Sequence, residues 1–325
     1  MKAPVFIVGC PRSGTSFLYH LLLSAGGFAH FRTQMNVYDV LEPIYGDLRV
    51  ARNRESAIRD WLRSKAFLAS ALDPDHIEKK LRADCRSAGE FLRIVMDEVA
   101  RAQNVDRWID STPTNVPHML RIHRDFPDAQ FIHIIRDGRD VALSLDKRSW
   151  SRPLPWDKRR SLIAAGLYWE WIVKKGRKYG AALAGHYAEV RYEDLVQDPR
   201  KALVAVAEFL EHGLDYDRIQ HAGVGSVKKP LTAFKEDLSD GRFMPVGRWK
   251  EKFRPDQLAE FEALVGKYLT QLGYQLSGEA AMANRLSRVP TRLIYGGYHE
   301  LKQWAKTHTP LSRLTVDYGA ILIDK

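Results

Sequence analysis

The sequence predicts an α/β fold in which a parallel β-sheet is flanked by helices on both faces. Short apolar runs alternate along the chain with segments of helical periodicity, and this alternation is typical of parallel sheets with helical crossovers. The first run, Val5–Val8, leads into a loop between Gly9 and Gly14 and then into a helix. This order of strand, glycine-bounded loop and helix is typical of a site for a phosphate-like anion.

The predicted elements follow this loop in a regular order. Strands are predicted where β-branched and aromatic residues cluster, and helices where apolar residues recur at helical spacing. Glycine and proline mark the boundaries. In chain order we expect helix 16–25, a helical block over 52–104, a short strand 107–110, helix 114–125, strand 130–135, a helix through Ser144, strand 188–192, helix 199–211, a loop-rich segment 214–254 and helix 255–273.

The chain divides into a main domain and a basic extension. We expect one domain over 1–276, with the helical block at about 50–104 as an insertion, and a C-terminal extension over 277–325. From residue 280 the chain carries seven Lys and Arg against three Asp and Glu. Segment 285–306 has apolar residues among basic ones, which favours docking on the main domain over contact with an anionic membrane.

Composition limits the classes of partner and compartment. The chain has 325 residues, of which 45% are hydrophobic, and a formal net charge of +10. This charge favours an anionic ligand or surface, but no RNA- or DNA-binding motif is visible, so no nucleic acid partner is expected. The two cysteines make no disulfide framework, and no secretory signal or membrane-spanning segment is visible. We therefore expect a cytoplasmic protein, with peripheral membrane contact as the alternative.

The loop after the first strand departs from a nucleotide-triphosphate site in an informative way. The spacing of Gly9, Gly14 and Ser16 is that of a Walker A loop, but Thr15 occupies the lysine position. The backbone N–H groups still suit an anion, whereas the lysine that neutralises terminal phosphates is missing. Arg12 lies inside the loop, where a structural role rarely requires a guanidinium.

The strand 130–135 ends in Arg136, where a Walker B strand would end in an aspartate that holds Mg²⁺. Loop and strand therefore agree on an anion bound by arginine and backbone amides, without a metal. The alternative for Arg136 is a salt bridge with Asp137 or Asp140, although Arg139 suits that structural role better.

Four segments, in this order along the chain, resemble the sulfotransferases that use 3′-phosphoadenosine 5′-phosphosulfate (PAPS). Segment 5–16, VFIVGCPRSGTS, resembles their 5′-phosphosulfate loop, in the version of the branch that includes tyrosylprotein sulfotransferases and many bacterial relatives. Segment 131–144, FIHIIRDGRDVALS, resembles their 3′-phosphate element. Segments 191–195, RYEDL, and 246–250, VGRWK, resemble an element beside the nucleotide and a late element that closes over the phosphosulfate.

The resemblance implies a P-loop NTPase-like sulfotransferase fold and metal-free, in-line transfer of a sulfuryl group from PAPS to a hydroxyl or amine. The acceptor would be a small molecule, a carbohydrate or a lipid. Arg12 and the loop amides would stabilise charge on the bridging oxygen of the donor. The residues implied in donor binding are Arg12, Ser13, Gly14, Thr15 and Ser16 for the 5′-phosphosulfate, Arg136 and Ser144 for the 3′-phosphate, and Tyr192, Arg248 and Lys250 around them.

The general base is where the chain departs from the branch that it resembles. Thr33 stands at the position of that branch's glutamate, and Ser111 stands where the branch has a lysine. Neither residue is a base. The candidates in reach of the site are Asp110 and Glu42, followed by Asp39 and His30.

Two other classes of function remain open from the sequence. A P-loop kinase or NTPase is disfavoured by Thr15 and Arg136, and a non-catalytic nucleotide- or membrane-binding protein rests on the net charge alone. The aromatic residues over 150–171 are more typical of a core than of an acceptor pocket. They are Trp150, Trp156, Tyr168, Trp169 and Trp171.

Overall fold

The structure is a computed structural model, and it describes residues 1–31, 33–151, 153–222, 245–278 and 288–309. Part of the predicted loop-rich segment, 223–244, and parts of the predicted extension, 279–287 and 310–325, lie outside the described residues.

A parallel sheet lies at the centre of the described chain, as predicted. Its strands are β1 (Val5–Val8), β2 (Ile109–Asp110), β3 (Gln130–Ile135) and β4 (Tyr187–Arg191), in the order β2-β1-β3-β4. All three pairings are parallel. The loops that follow the strands therefore open at one edge, where open α/β sheets bind their ligands.

The alternation of side chains along β1 and β3 builds a core on each face of the sheet. Phe6 and Phe131 point to one face, where their ring centroids lie 5.5 Å apart. Ile7 and Ile132 point to the other face, among the leucines of the helix that follows β1. Because these strands are buried on both faces, they read as continuous apolar runs in the sequence.

Helices cover both faces of the sheet, which confirms the predicted α/β architecture. A π-helical turn, Val37–Leu41, precedes α2, and a 3-10 helix, Pro113–His118, precedes α7. The α-helices are α1 (Thr15–Ala25), α2 (Glu42–Tyr45), α3 (Ala51–Trp61), α4 (Lys65–Ser70), α5 (Pro74–Asp84), α6 (Ala88–Ala102), α7 (Met119–Asp125), α8 (Gly138–Lys147), α9 (Ser161–Ala181), α10 (Tyr192–Gln197), α11 (Pro199–Leu210), α12 (Tyr216–Ala222), α13 (Trp249–Lys252), α14 (Pro255–Gln271) and α15 (Arg288–His308).

Three predicted elements differ from the structure, each for a local reason. The strand predicted over 107–110 is shorter, because only its last two residues pair along β1. The helix predicted over 114–125 begins as a 3-10 helix, where Pro117 has no N–H for a regular α-helical bond. Tyr192 begins a helix rather than ending a strand.

Helix α15, the described part of the predicted extension, packs on the main body through α9, α14 and α2. Tyr295 is buried, and its hydroxyl donates to Asp157 Oδ2 at 2.9 Å. Glu300 accepts from Trp171 Nε1 at 2.7 Å and from Lys175 Nζ at 2.8 Å. Among the described helices, none has the length and apolar character needed to cross a membrane.

Candidate functional site

The loop between β1 and α1 presents its backbone to the carboxyl edge of the sheet. Arg12 and Gly14 have φ angles of 75° and 99°, so the chain turns twice through the left-handed region. A Cβ on Gly14 would lie 2.3 Å from Cδ2 of Tyr192, so the ring of Tyr192 packs directly on the loop. No side chain caps the N-terminus of α1, which leaves its first amides to an anion.

The hydroxyl groups of the loop differ in their surroundings. Ser13 is fully buried, and its Oγ has no hydrogen-bond partner among the described residues. Thr15 is buried at the start of α1, whereas Ser16 is exposed. A buried hydroxyl without a partner is unfavourable, and an incoming anion would satisfy it.

Arg12 joins the loop to α8. Its Nε donates to Oγ of Ser144 at 2.9 Å, and its Cζ lies 5.5 Å from the ring centre of Trp150. Burial lowers the pKa of Arg12, and the neighbouring charges of Arg148, Arg136 and Arg248 lower it further. Several guanidinium groups are thus concentrated at the end of the sheet.

Arg136 follows β3 and is only 1% exposed. Its terminal nitrogens donate to the carbonyl oxygens of Arg12 at 3.1 Å and Pro245 at 2.5 Å, and its Cζ lies 4.4 Å from the ring centre of Tyr192. The carboxylate nearest to it, Asp140, is 4.0 Å away. Its Nε has no partner among the described residues.

Asp140 is mainly engaged with the late segment around Arg248. Its two oxygens accept from the N–H groups of Gly247 at 2.8 Å and Trp249 at 2.9 Å. This holds the segment against the start of α8 and places Arg248 within the electrostatic reach of Arg12. Lys250 is exposed, with Nζ 5.8 Å from the ring centre of Trp249.

Behind this edge lies a fully paired network around Arg139. Its guanidinium donates to Oδ2 of Asp137 at 2.7 Å and to Oε1 of Glu262 at 2.6 Å, and its Cζ lies 3.5 Å from the ring centre of Trp249. Arg139 is therefore the structural arginine that the sequence suggested.

The two preferred base candidates lie in different surroundings. Asp110 is buried at the end of β2, where its Oδ1 accepts from Thr112 N at 2.9 Å and from Asn115 Nδ2 at 3.0 Å. Burial raises the pKa of Asp110. Glu42 accepts from Arg121 at 2.7 Å and lines a cavity of about 690 Å³ to which the loop 9–16 contributes no residue.

Of the other two candidates, only Asp39 is buried. Burial alone would raise the pKa of Asp39, but hydrogen bonds and charge from His118 and Lys306 outweigh it and lower the pKa. His30 is exposed, and its backbone N–H donates to Gln103.

Three residues at this edge were not among the sequence candidates for the anion site. Arg148 follows Ser144 by one helical turn, a spacing that would have suggested a shared face. Trp150 was noted only as an aromatic residue, and Asp140 only as a partner of Arg136. Within the described residues, no group of three or more His, Cys, Asp or Glu side chains is placed to hold a metal ion. A metal-free reaction stays a prediction.

Comparisons with known proteins bear on the family and the fold. The family described as "Sulfotransferase family" matches residues 4–217. Sulfotransferase 1B1 of Mus musculus is 29% identical over 162 residues, which cover 43% of this chain and 54% of the mouse protein. A putative protein-tyrosine sulfotransferase of Caenorhabditis elegans is 24% identical over 182 residues, covering 53% of this chain and 66% of that protein.

The alignments with these two relatives thus cover between about half and two thirds of the relatives' own length. Among solved structures, a sulfotransferase domain from the curacin biosynthetic pathway is similar with a TM-score of 0.57 at 17% identity. The alignment covers 85% of this chain and 99% of that domain.

Proposed function

Because the chain belongs to the sulfotransferase family, we propose that it moves the sulfuryl group of PAPS to a hydroxyl or amine of an acceptor. The observation that carries this proposal is the hydrogen bond from Arg12 to Ser144, beside the positive charges of Arg136, Arg148 and Arg248. It joins the two segments that the sequence assigns to the two phosphate-bearing ends of the donor.

The residues present suit such a donor. Two buried polar atoms, Ser13 Oγ and Arg136 Nε, have no partner in the described part of the chain. The 5′-phosphosulfate would bind to Ser13, Thr15, Ser16 and the amides around Gly14. The 3′-phosphate would bind to Arg136 and Ser144. Tyr192, Arg248 and Lys250 would complete the donor site.

PAPS supplies the sulfuryl group, and 3′-phosphoadenosine 5′-phosphate (PAP) leaves. In the transfer, the acceptor oxygen forms a bond to sulfur, the bond from sulfur to the bridging oxygen breaks, and the acceptor proton passes to a base. Arg12 and the loop amides stabilise the negative charge that develops on the bridging oxygen. Thr15, in place of a lysine, suits a sulfate ester, which carries less charge than a terminal phosphate.

We assign Asp110, in preference to Glu42, as the general base that takes the acceptor proton. A general base is most effective when its pKa lies near neutrality, and burial raises the pKa of Asp110 in that direction. Asp110 is also the last residue of β2, beside the strand that leads into the loop. Glu42 is held by Arg121 and lines the cavity of about 690 Å³, apart from the loop.

The acceptor class and the surroundings of the protein are proposals of the same kind. The acceptor would be a small molecule, a carbohydrate or a lipid. A cytoplasmic location is supported by the two free, buried cysteines, Cys10 and Cys85, which suit a reducing compartment. Contact with an anionic membrane is supported by exposed apolar side chains on α15, namely Val289, Leu293, Ile294, Leu301 and Trp304.

Incubation of the purified protein with [³⁵S]PAPS and a cell extract tests the proposal. We expect a labelled acceptor and release of PAP, and we expect both to be much slower in an Arg12→Ala variant. Release of labelled sulfate alone, at the same rate with and without extract, would contradict transfer.

A further inference from the structure

A second cavity, of about 440 Å³, opens beside the anion site. Helix α9 supplies one wall of it and α15 supplies another. Its volume lies within the range typical of small-molecule sites. The α15 residues that line it are Tyr298, His299, Lys302, Gln303 and Lys306, and those of α9 are Tyr168, Trp171 and Ile172.

One contact ties this cavity to the loop that would hold the donor. Trp150 lines the cavity, and the guanidinium of Arg12 lies over its ring. Arg12 belongs to this loop. A molecule in the cavity would therefore lie next to the site of transfer.

The centre of the α15 wall is His299, which is surrounded by aromatic rings. Ring centroids of Tyr298, Tyr168 and Trp171 lie 5.3, 5.4 and 5.5 Å from that of His299. Burial, and secondarily Lys302, lower the pKa of His299 to about 4, so the imidazole is neutral at pH 7. Its Nε2 is buried and has no hydrogen-bond partner in the part of the chain that the structure describes.

Inside the cavity, the charged side chains leave little unpaired charge with which an ionised ligand could pair. Lys306 Nζ donates to Asp39 Oδ2 at 2.6 Å, so these two charges are matched. Lys302 is exposed at the rim. Burial of an unmatched charge is costly, and a ligand that fills this cavity is therefore best uncharged.

We propose that this cavity binds the acceptor, that α15 is its specificity-determining wall, and that the acceptor is an uncharged, ring-bearing hydroxyl compound. The rings of Tyr168, Trp171 and Tyr298 contact the body of the acceptor, and His299 Nε2 bonds a polar group on it. The proposal rests on the proposed sulfuryl transfer and adds the chemistry of its second substrate. Helix α15 lies beyond the residues that match the family, 4–217, so this wall is a feature of this chain's own C-terminal part.

Two matched variants on α15 test this assignment. Gln303→Trp places a large ring in the cavity, whereas Leu301→Trp makes the same substitution at a side chain that is 64% exposed and does not line the cavity. The acceptors are 2-naphthol and its carboxylated analogue, 6-hydroxy-2-naphthoate. Transfer from [³⁵S]PAPS gives kcat and KM, and calorimetry gives the affinity for PAP.

We expect transfer to 2-naphthol, with kcat/KM at least about tenfold lower for the carboxylated analogue. Gln303→Trp should raise the KM for 2-naphthol by about tenfold or more and leave PAP affinity unchanged, and Leu301→Trp should match the wild type. His299→Phe, which keeps a ring of similar size, should raise KM a few-fold at constant kcat. If Gln303→Trp misfolds and also loses PAP binding, His299→Phe tests the proposal in its place.

The proposal fails if both naphthols are used equally well, or if neither Gln303→Trp nor His299→Phe changes KM. It also fails if the protein labels an acceptor in cell extract but no uncharged ring alcohol. Each of these results leaves the sulfuryl transfer itself intact. Absence of both PAP binding and transfer to any acceptor would instead refute the proposed function.

Discussion

Arg136 and Arg139 lie three positions apart at the junction of β3 and α8, and both are buried, with exposures of 1% and 2%. Arg139 is fully matched by Asp137 and Glu262. Arg136 has backbone carbonyls as partners, a carboxylate at 4.0 Å and an Nε without a partner in the described residues. Two residues of the same type, three positions apart, therefore face different electrostatic environments.

The difference separates an arginine that stabilises the fold from one that is available to a ligand. Removing a matched buried arginine destabilises the fold, because the carboxylates of its partners stay buried without a compensating charge. An unmatched buried arginine adds positive charge to a site that already holds other arginines. The repulsion between these charges destabilises the protein without its ligand. The region around Arg139 is accordingly the scaffold, and the region around Arg136, Arg12 and the loop is the candidate site.

The largest expected effect is on the scaffold side. Arg139→Ala leaves the carboxylates of Asp137 and Glu262 buried without their partner, and we expect a loss of about 3–5 kcal/mol in the free energy of unfolding. Urea denaturation at neutral pH measures it. Arg136→Ala is the matched control, and its loss should be smaller, because it leaves backbone carbonyls rather than paired carboxylates without their partner. Similar losses in the two variants would remove the distinction between the two regions.

On the site side, Arg12→Ala should lower kcat by about 10²–10³, because a donor that stabilises the leaving oxygen acts mainly in the transition state. PAP affinity should change much less than kcat. Single-turnover rates with [³⁵S]PAPS, together with calorimetric titration of PAP, separate the two quantities. An unchanged rate would take Arg12 out of the mechanism.

Asp110→Asn tests the base. Burial raises the pKa of Asp110, so the wild-type kcat should fall as the pH drops through that raised pKa. The Asn variant should lack this acid limb, and its kcat should be about 10²-fold lower than that of the wild type. Because the folded carboxyl keeps its proton to a higher pH than the unfolded one, wild-type stability should also fall as the pH rises between the two pKa values, and the variant should not show this slope.

A variant that keeps both the rate and the acid limb would place the base elsewhere. Glu42→Gln is the matched control, because Glu42 lies by the other cavity. We expect little change in its pH profile.

Arg136→Ala should weaken PAP binding by about 10–100-fold and leave adenosine 5′-phosphosulfate, which lacks the 3′-phosphate, nearly unaffected. Competition titrations of the two nucleotides on the same variant give the ratio. An equal loss for both nucleotides would contradict the assignment of Arg136 to the 3′-phosphate.

The strands and the loop could be predicted from the sequence because the relevant signals are local. Val5–Val8 and 130–135 are buried on both faces, so their apolar character alone identifies them. Position 14 requires glycine because its φ is 99° and because the ring of Tyr192 leaves no room for a Cβ. The spacing between Gly9 and Gly14 is visible in the sequence. Tyr192 was placed beside the nucleotide by resemblance, and its contact with the loop followed from the structure.

The pairing of charges could not be predicted, because it depends on contacts distant in sequence. Arg139 meets Glu262 across 123 positions, and Lys306 meets Asp39 across 267. The aromatic residues around 150–171 were expected to be core. Trp169 is core, whereas Trp150, Tyr168 and Trp171 line the cavity beside α15. Helical periodicity gives the same signal for a core face and for a cavity wall, so the distinction needed the packing of α15.

A comparison of two calorimetric titrations tests most directly whether the arginine-lined edge binds a 3′-phosphorylated nucleotide without a metal. The wild-type protein is titrated with PAP in the presence of EDTA and, separately, with ATP in the presence of Mg²⁺. We expect that PAP binds in EDTA and binds more tightly than Mg-ATP. Tighter binding of Mg-ATP, or PAP binding that appears only with Mg²⁺, would contradict it.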